Sequence, residues 1–227
     1  MIRFLAPLLS GVLAAGLASA APLTIDSFDQ AQGPLASANG ATESSTVSND
    51  GSFAGGPDST RTIEVTGDGT PPPSSEYTLA EVGGGIFEYA SAVEVSGSTT
   101  LTYESLGGLD LSQYLGFTFE DLTADHPFDY SVSIYDSFGG LSVASGVFTL
   151  PESISTDVLL SFSSFVGDVD LASIDSLVFG LTSEGRALDF SMSQISAAIP
   201  IPAAGFFLIS ALAGLGLLRT RRMAETA

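Results

Sequence analysis

The sequence predicts an all-β fold, a β-sandwich, across residues 21–198, and three observations carry that prediction. Apolar and polar residues alternate with period two in several short runs, the signature of strands with one buried face. Turn-forming residues separate these runs at a spacing of about ten residues, which suits two packed antiparallel sheets. No segment of this region sustains the 3.6-residue period of an amphipathic helix. The chain has 227 residues and no cysteine, so its core forms without disulfides or thiolate metal sites.

Residues 21–75 read as a loop-rich first part of the domain and 76–198 as its main part. Short strands are expected over 23–28 and 61–66. Around the second of these, 31–75 is poor in apolar residues and rich in Ser, Thr, Gly, Ala and Asn, which predicts long connections that bury too little to order themselves. Gly83-Gly84-Gly85 reads as a tight connection; no Lys-Ser/Thr follows to make a phosphate loop. From Tyr77 onward the alternation is clear. Leu115, Phe117 and Phe119 share one strand face; so do Phe128, Tyr130, Val132 and Ile134, then Val158, Leu160 and Phe162, and finally Leu188, Phe190 and Met192. Turns are marked by Gly107-Gly108, Asp125-His126-Pro127, Gly139-Gly140, Gly167-Asp168 and Ser183-Glu184-Gly185. Residues 174–181 are almost continuously apolar, which predicts a central strand buried on both faces.

The two ends read as addresses. Residues 1–20 have the three parts of a secretory signal: Arg3, an apolar stretch over 4–17, and the small-residue site Ala18-Ser19-Ala20, with cleavage after Ala20. At the other end, 199–227 contains Ile199-Pro200-Ile201-Pro202-Ala203, an apolar stretch over 203–218, then Arg219, Arg221 and Arg222. The stretch reads as a transmembrane helix of roughly 24 Å at about 1.5 Å per residue, with the arginines on the cytoplasmic side and the anionic middle region outside. The prolines keep the segment before it extended, because neither can supply an N–H to a helix. These three parts, with Pro200, Pro202 and Ala203 as the motif and Arg219, Arg221 and Arg222 as the cluster, resemble the VPLPA-CTERM class of bacterial sorting signals, relatives of PEP-CTERM tags. Ile199 and Ile201 replace the valine and leucine that class favours. The resemblance implies an exported protein of a Gram-negative bacterium, held by its tail and processed by an exosortase-type enzyme. It also implies association with extracellular polysaccharide.

Charge narrows the function. The chain has 26 acids against 6 arginines, a net charge of −20, with no lysine. Within 21–198 only Arg61 and Arg186 oppose 25 acids, a net of −23. That field repels phosphate, so nucleic acid is excluded as a partner, and it favours cations. Calcium is the metal these carboxylates would suit. Asp168, Asp170 and Asp175 form the densest late cluster, with Asp121, Asp125 and Asp129 as a second, though neither has the spacing of an EF-hand; the alternative role for each group is to end strands and form turns. His126 is the sole histidine and sits in a turn signature without a Gly-x-Ser-x-Gly elbow, so it reads as a surface residue and not a catalytic base. Glu120-Asp121 is the pair a glycosidase reading would use, but the chain has no tryptophan to stack a sugar ring. Tyr89, Tyr103, Tyr114, Tyr130 and Tyr135 are the tyrosines a glycan site could recruit, with alternation placing several in the core.

The order of segments around Ile25-Asp26-Ser27-Phe28, Arg61-Thr62-Ile63-Glu64-Val65, Leu109-Asp110-Leu111-Ser112 and the run from Leu171 to Phe179 resembles the galactose-binding-like jelly rolls of carbohydrate-binding modules. The resemblance implies a jelly-roll-like sandwich and leaves function open. Three readings follow. The first is an exported, non-enzymatic surface or matrix protein; the second is a calcium-assisted carbohydrate-binding module; the third is a polysaccharide hydrolase with paired acids.

Overall fold

A computed structural model of the chain describes residues 21–69, 77–151, 154–185 and 187–200. Both terminal segments, with the signal site Ala18 and Ala20 and the tail residues Pro202, Ala203, Arg219, Arg221 and Arg222, lie outside the described residues, as does Arg186. Among the described residues no helix is long and apolar enough to cross a membrane.

The unit from Pro22 to Pro200 is all-β. Its strands, in chain order, are β1 (Leu23–Asp26), β2 (Gln32–Ser37), β3 (Ala41–Ser48), β4 (Thr60–Gly67), β5 (Thr78–Gly83), β6 (Ile86–Ser91), β7 (Gly97–Glu104), β8 (Gly116–Ala124), β9 (Phe128–Asp136), β10 (Leu141–Phe148), β11 (Thr156–Ser161), β12 (Val166–Gly167), β13 (Ile174–Ser183), β14 (Leu188–Met192) and β15 (Gln194–Ala198). Two sheets result, with every strand pair antiparallel. One runs β1-β15-β8-β14-β6-β5-β2 with β11 on the free side of β8, and the other runs β12-β10-β9-β13-β7-β4-β3. The arrangement is a β-sandwich, as the alternation predicts, and jelly-roll-like, as the resemblance implies.

Packing follows from the same period. On β9, Phe128, Val132, Ile134 and Asp136 are buried, while Ser131 and Tyr135 point outward. Aromatic rings fill the space between the sheets edge to face: Phe128 on Phe190 at 5.2 Å, Phe119 on Phe179 at 5.9 Å, and Phe117 against both Phe162 at 5.1 Å and Phe179 at 5.3 Å. Gly84 and Gly85, both at positive φ, form the two-residue turn of the β5–β6 hairpin, where side chains would be strained.

Two sequence expectations change. The stretch from Gln32 to Ser48 is not a long loop but holds β2 and β3, and β3 pairs over all eight of its residues with β4, which is the strand the sequence places over 61–66. β3 has no sequence signal because it is an edge strand with Thr42, Ser44, Thr46 and Ser48 on one face and a mixed Ala41, Glu43, Ser45 and Val47 on the other, so it shows no apolar alternation. The second change concerns β13. It is central, between β9 and β7, but buried on one face only: Leu177, Phe179 and Leu181 point inward, while Ser176, Val178 and Gly180 are half-exposed.

One internal feature had no sequence signal. Arg61 on β4 is fully buried between the rings of Phe28 and Phe53. Its guanidinium donates to Asp26 Oδ2 at 2.7 Å, to Gln32 Oε1 at 2.9 Å and to the Gln30 carbonyl. Asp26 is also fully buried and accepts from the Tyr103 hydroxyl at 2.6 Å and the Phe28 N–H at 2.7 Å. Burial pushes the Asp26 carboxyl above the usual range against the opposing pull of Arg61 and Tyr103. The network ties β1, β2, β4 and β7 together. Gln32 Nε2 also donates to the Ser45 carbonyl at 2.6 Å, which covers part of the edge of β3.

Candidate functional site

The outer face of the seven-stranded sheet carries the candidate site. Successive strands place residues side by side on it through their pairing. Leu141 on β10 sits opposite Tyr135 on β9, which sits opposite Ser176 on β13. In the adjacent row, Val166 faces Val143, then come Ser133, Val178, Thr102, Thr62 and Thr46. The result is an apolar corner of Tyr135, Leu141, Val143 and Val166 that gives way to a hydroxyl-lined surface. Tyr135 is 39% exposed and Val166 81%. Phe138, at the tip of the β9–β10 hairpin, is 81% exposed, so two aromatic rings reach solvent within four residues of one another. Exposed aromatic side chains grouped with aliphatic ones mark a contact surface more often than an isolated exposed residue does.

The hairpin that presents these rings is held by Asp136. Its Oδ1 accepts from the N–H groups of Phe138 and Gly140, each at 2.8 Å, and its Oδ2 accepts from Asp170 N–H at 2.7 Å. The Asp170 and Gly140 amides hold this carboxyl below the usual carboxylate range. A second tie runs from the Ser137 N–H to the Ser173 carbonyl at 3.0 Å. Gly140 has to be small, because a Cβ there would collide with the Asp136 carboxylate. The tip is thus fixed by several bonds to the 168–173 segment and does not depend on its own turn alone.

This placement decides where the sequence candidates fall. Of the five tyrosines, Tyr89 and Tyr103 are buried, Tyr114 packs on the core, and Tyr130 stacks inward on Phe148 at 4.2 Å. Tyr135 alone of them stands on an outer sheet face. Asp168 accepts a long bond from Leu141 N–H at 3.5 Å, Asp170 Oδ1 accepts from Ala172 N–H at 3.0 Å, and Asp175 is exposed at the start of β13. Among the described residues no group of three or more acidic or histidine side chains converges as a metal site. Asp168 and the Asp170 amide tie the 168–173 segment to the hairpin that carries the apolar corner.

Glu120 and Asp121 lie on the other sheet. Glu120 Oε1 accepts from Gln194 Nε2 at 2.9 Å and Ser196 Oγ at 2.7 Å. Asp121, at φ +50°, forms the bulge of β8 and accepts from Ser193 and Ser155 hydroxyls at 2.9 and 3.0 Å. Both carboxylates therefore join strands. His126 lies in the β8–β9 turn, half-exposed and 3.3 Å from Asp125. A cavity of about 40 Å³ lies in the aromatic core, and no carboxylate lines it. Pro200 is exposed just past the end of β15.

No protein-family model matches the chain, and no curated protein matches it. Among solved structures, the family 11 carbohydrate-binding module of the cellulosomal cellulase Lic26A-Cel5E of Clostridium thermocellum is 16% identical, with a TM-score of 0.40 over 79% of this chain and 95% of that one. The agarase AgWH50C is 13% identical, with a TM-score of 0.41 over 58% of this chain and 23% of its own. PfGH50B is also 13% identical, with a TM-score of 0.40 over 55% and 22%.

Proposed function

We propose that the chain is an exported, non-enzymatic protein of the cell surface or extracellular matrix that binds polysaccharide through the outer face of its seven-stranded sheet. The observation that carries this reading is the exposure of Tyr135 and Phe138 on one hairpin locked by Asp136. Sugar rings present C–H faces that stack on aromatic and aliphatic side chains, while their hydroxyls need acceptors and donors nearby. Ser133 and Ser176 supply hydroxyls beside Tyr135, and Asp168 lies at Leu141, the residue opposite Tyr135. The acidic field of the domain argues against an anionic partner. Delivery follows the sorting-tail reading: export by residues 1–20, then retention or release at 199–227 by an exosortase-type enzyme. A glycan array of neutral and acidic polysaccharides tests the binding. Retention of neutral glycans by the wild type and its loss in Tyr135→Ala is the expected result, and silence across the array would refute the reading.

A further inference from the structure

Six residues along β9 from Tyr135, the same sheet face ends in a hollow of about 270 Å³ between Pro127, Phe128, Asp129, Val147 and Glu184. We propose that this hollow is the far subsite for an uncharged, extended glycan whose remaining rings run along β9 to Tyr135; the inference rests on the polysaccharide reading above.

The hollow combines the two kinds of surface a pyranose needs. Pro127 and Val147 give it an apolar wall, and Val147 is 61% exposed. Asp129, the residue opposite Val147 across the strand pair, puts a carboxylate directly beside that wall. Glu184, in the turn after β13, faces it from the other side. Neither carboxylate has a hydrogen-bond or ion-pair partner among the described residues, so both are open to ligand hydroxyls. Two such acids in a strongly anionic domain repel uronate, sulfate or phosphate groups, which selects an uncharged chain.

The path between the two ends is low and hydroxylated. Ser131 and Ser133 are the outward residues of β9 between Asp129 and Tyr135, and Gly180 faces Ser131 from β13. At about 3.4 Å per residue the separation is roughly 20 Å, room for several rings lying flat. A single sugar can occupy one end only, so affinity should rise with chain length until both ends are reached.

The test is a titration of the full chain with β-1,3- and β-1,4-linked gluco-oligosaccharides of two to eight residues, repeated with the Asp129→Asn/Glu184→Gln variant. Isosteric replacements on the surface keep the fold, which an unchanged melting temperature verifies. The wild type should bind an octasaccharide more tightly than a disaccharide. The variant should lose about tenfold or more on the octasaccharide, the scale of a lost bond to a charged acceptor, with little change on the disaccharide. Equal affinity at every length, or an unaltered variant, overturns the far subsite and leaves the Tyr135 site standing. Failure of the wild type to bind any of the series, with Tyr135→Ala equally silent, overturns both.

Discussion

Removing Arg61 probes the interior most sharply. Arg61→Leu keeps an apolar stem between Phe28 and Phe53 but deletes the donors to Asp26, Gln32 and the Gln30 carbonyl. Asp26 then remains buried with only the Tyr103 hydroxyl and the Phe28 amide as donors. Breaking one side of a buried ion pair costs about 3–5 kcal/mol, because the remaining charge is stranded in a poor solvent. That is a large part of the ~5–15 kcal/mol that holds a domain folded. At about 2–4 °C per kcal/mol for a domain of this size, the melting temperature should fall by roughly 6–20 °C. Circular-dichroism melts of wild type, Arg61→Leu, Asp26→Asn and the double variant form the assay. The double variant should recover part of the loss, since it leaves no unpaired charge. If Arg61→Leu melts within about 2 °C of wild type, or if the double variant loses the full sum of the singles, the network is not the tie described here.

Other consequences are simpler to check. Gly116 lies between β11 and β15, where a Cβ would strike the Leu160 carbonyl; Gly116→Ala should cost about 1–3 kcal/mol, read from urea unfolding. Phe117→Ala should cost about 3–5 kcal/mol in the same assay, because its ring contacts Phe162, Phe165 and Phe179. The Asp136 carboxyl is held low by amide donors, so its contribution is present above the ordinary carboxylate range and is lost as pH falls below it. The amide signals of Phe138, Gly140 and Asp170 should therefore move together under acid titration by NMR, and Asp136→Asn should flatten that response. Deleting residues 200–227 should move the protein from the cell fraction into the medium, as fractionation would reveal; unchanged cell association would contradict the sorting-tail reading.

The fold was legible wherever one face of a strand is apolar and the other is not. The alternation of Phe128, Val132 and Ile134 assigns that face to the core, and by the same parity assigns Tyr135 to the opposite one. The sequence therefore already contained the signal that separates Tyr135 from Tyr130. It did not contain β3, because Thr42, Ser44 and Thr46 alternate with Glu43 and Ser45 and no face is apolar. The strand depends on its partner β4 for all eight of its pairings, which is information local pattern cannot hold. Burial of Arg61 was equally hidden, because its partners Asp26 and Gln32 lie 35 and 29 positions away on other strands. Asp168, Asp170 and Asp175 are neighbours in sequence, and in the fold Asp168 and Asp170 accept from different amides while Asp175 is the second residue of β13. The residue that organises the loop is Asp136, whose role depends on a contact spanning 34 positions.

Calorimetric titration of the same neutral polysaccharide into wild type and into Tyr135→Ala/Phe138→Ala tests the central claim most directly. Both rings are exposed, so the substitutions should leave the melting temperature in place while weakening binding by about tenfold or more, the scale of one to two lost stacking contacts. Undiminished binding by the doubly substituted protein would place the polysaccharide elsewhere and contradict the assignment of this sheet face.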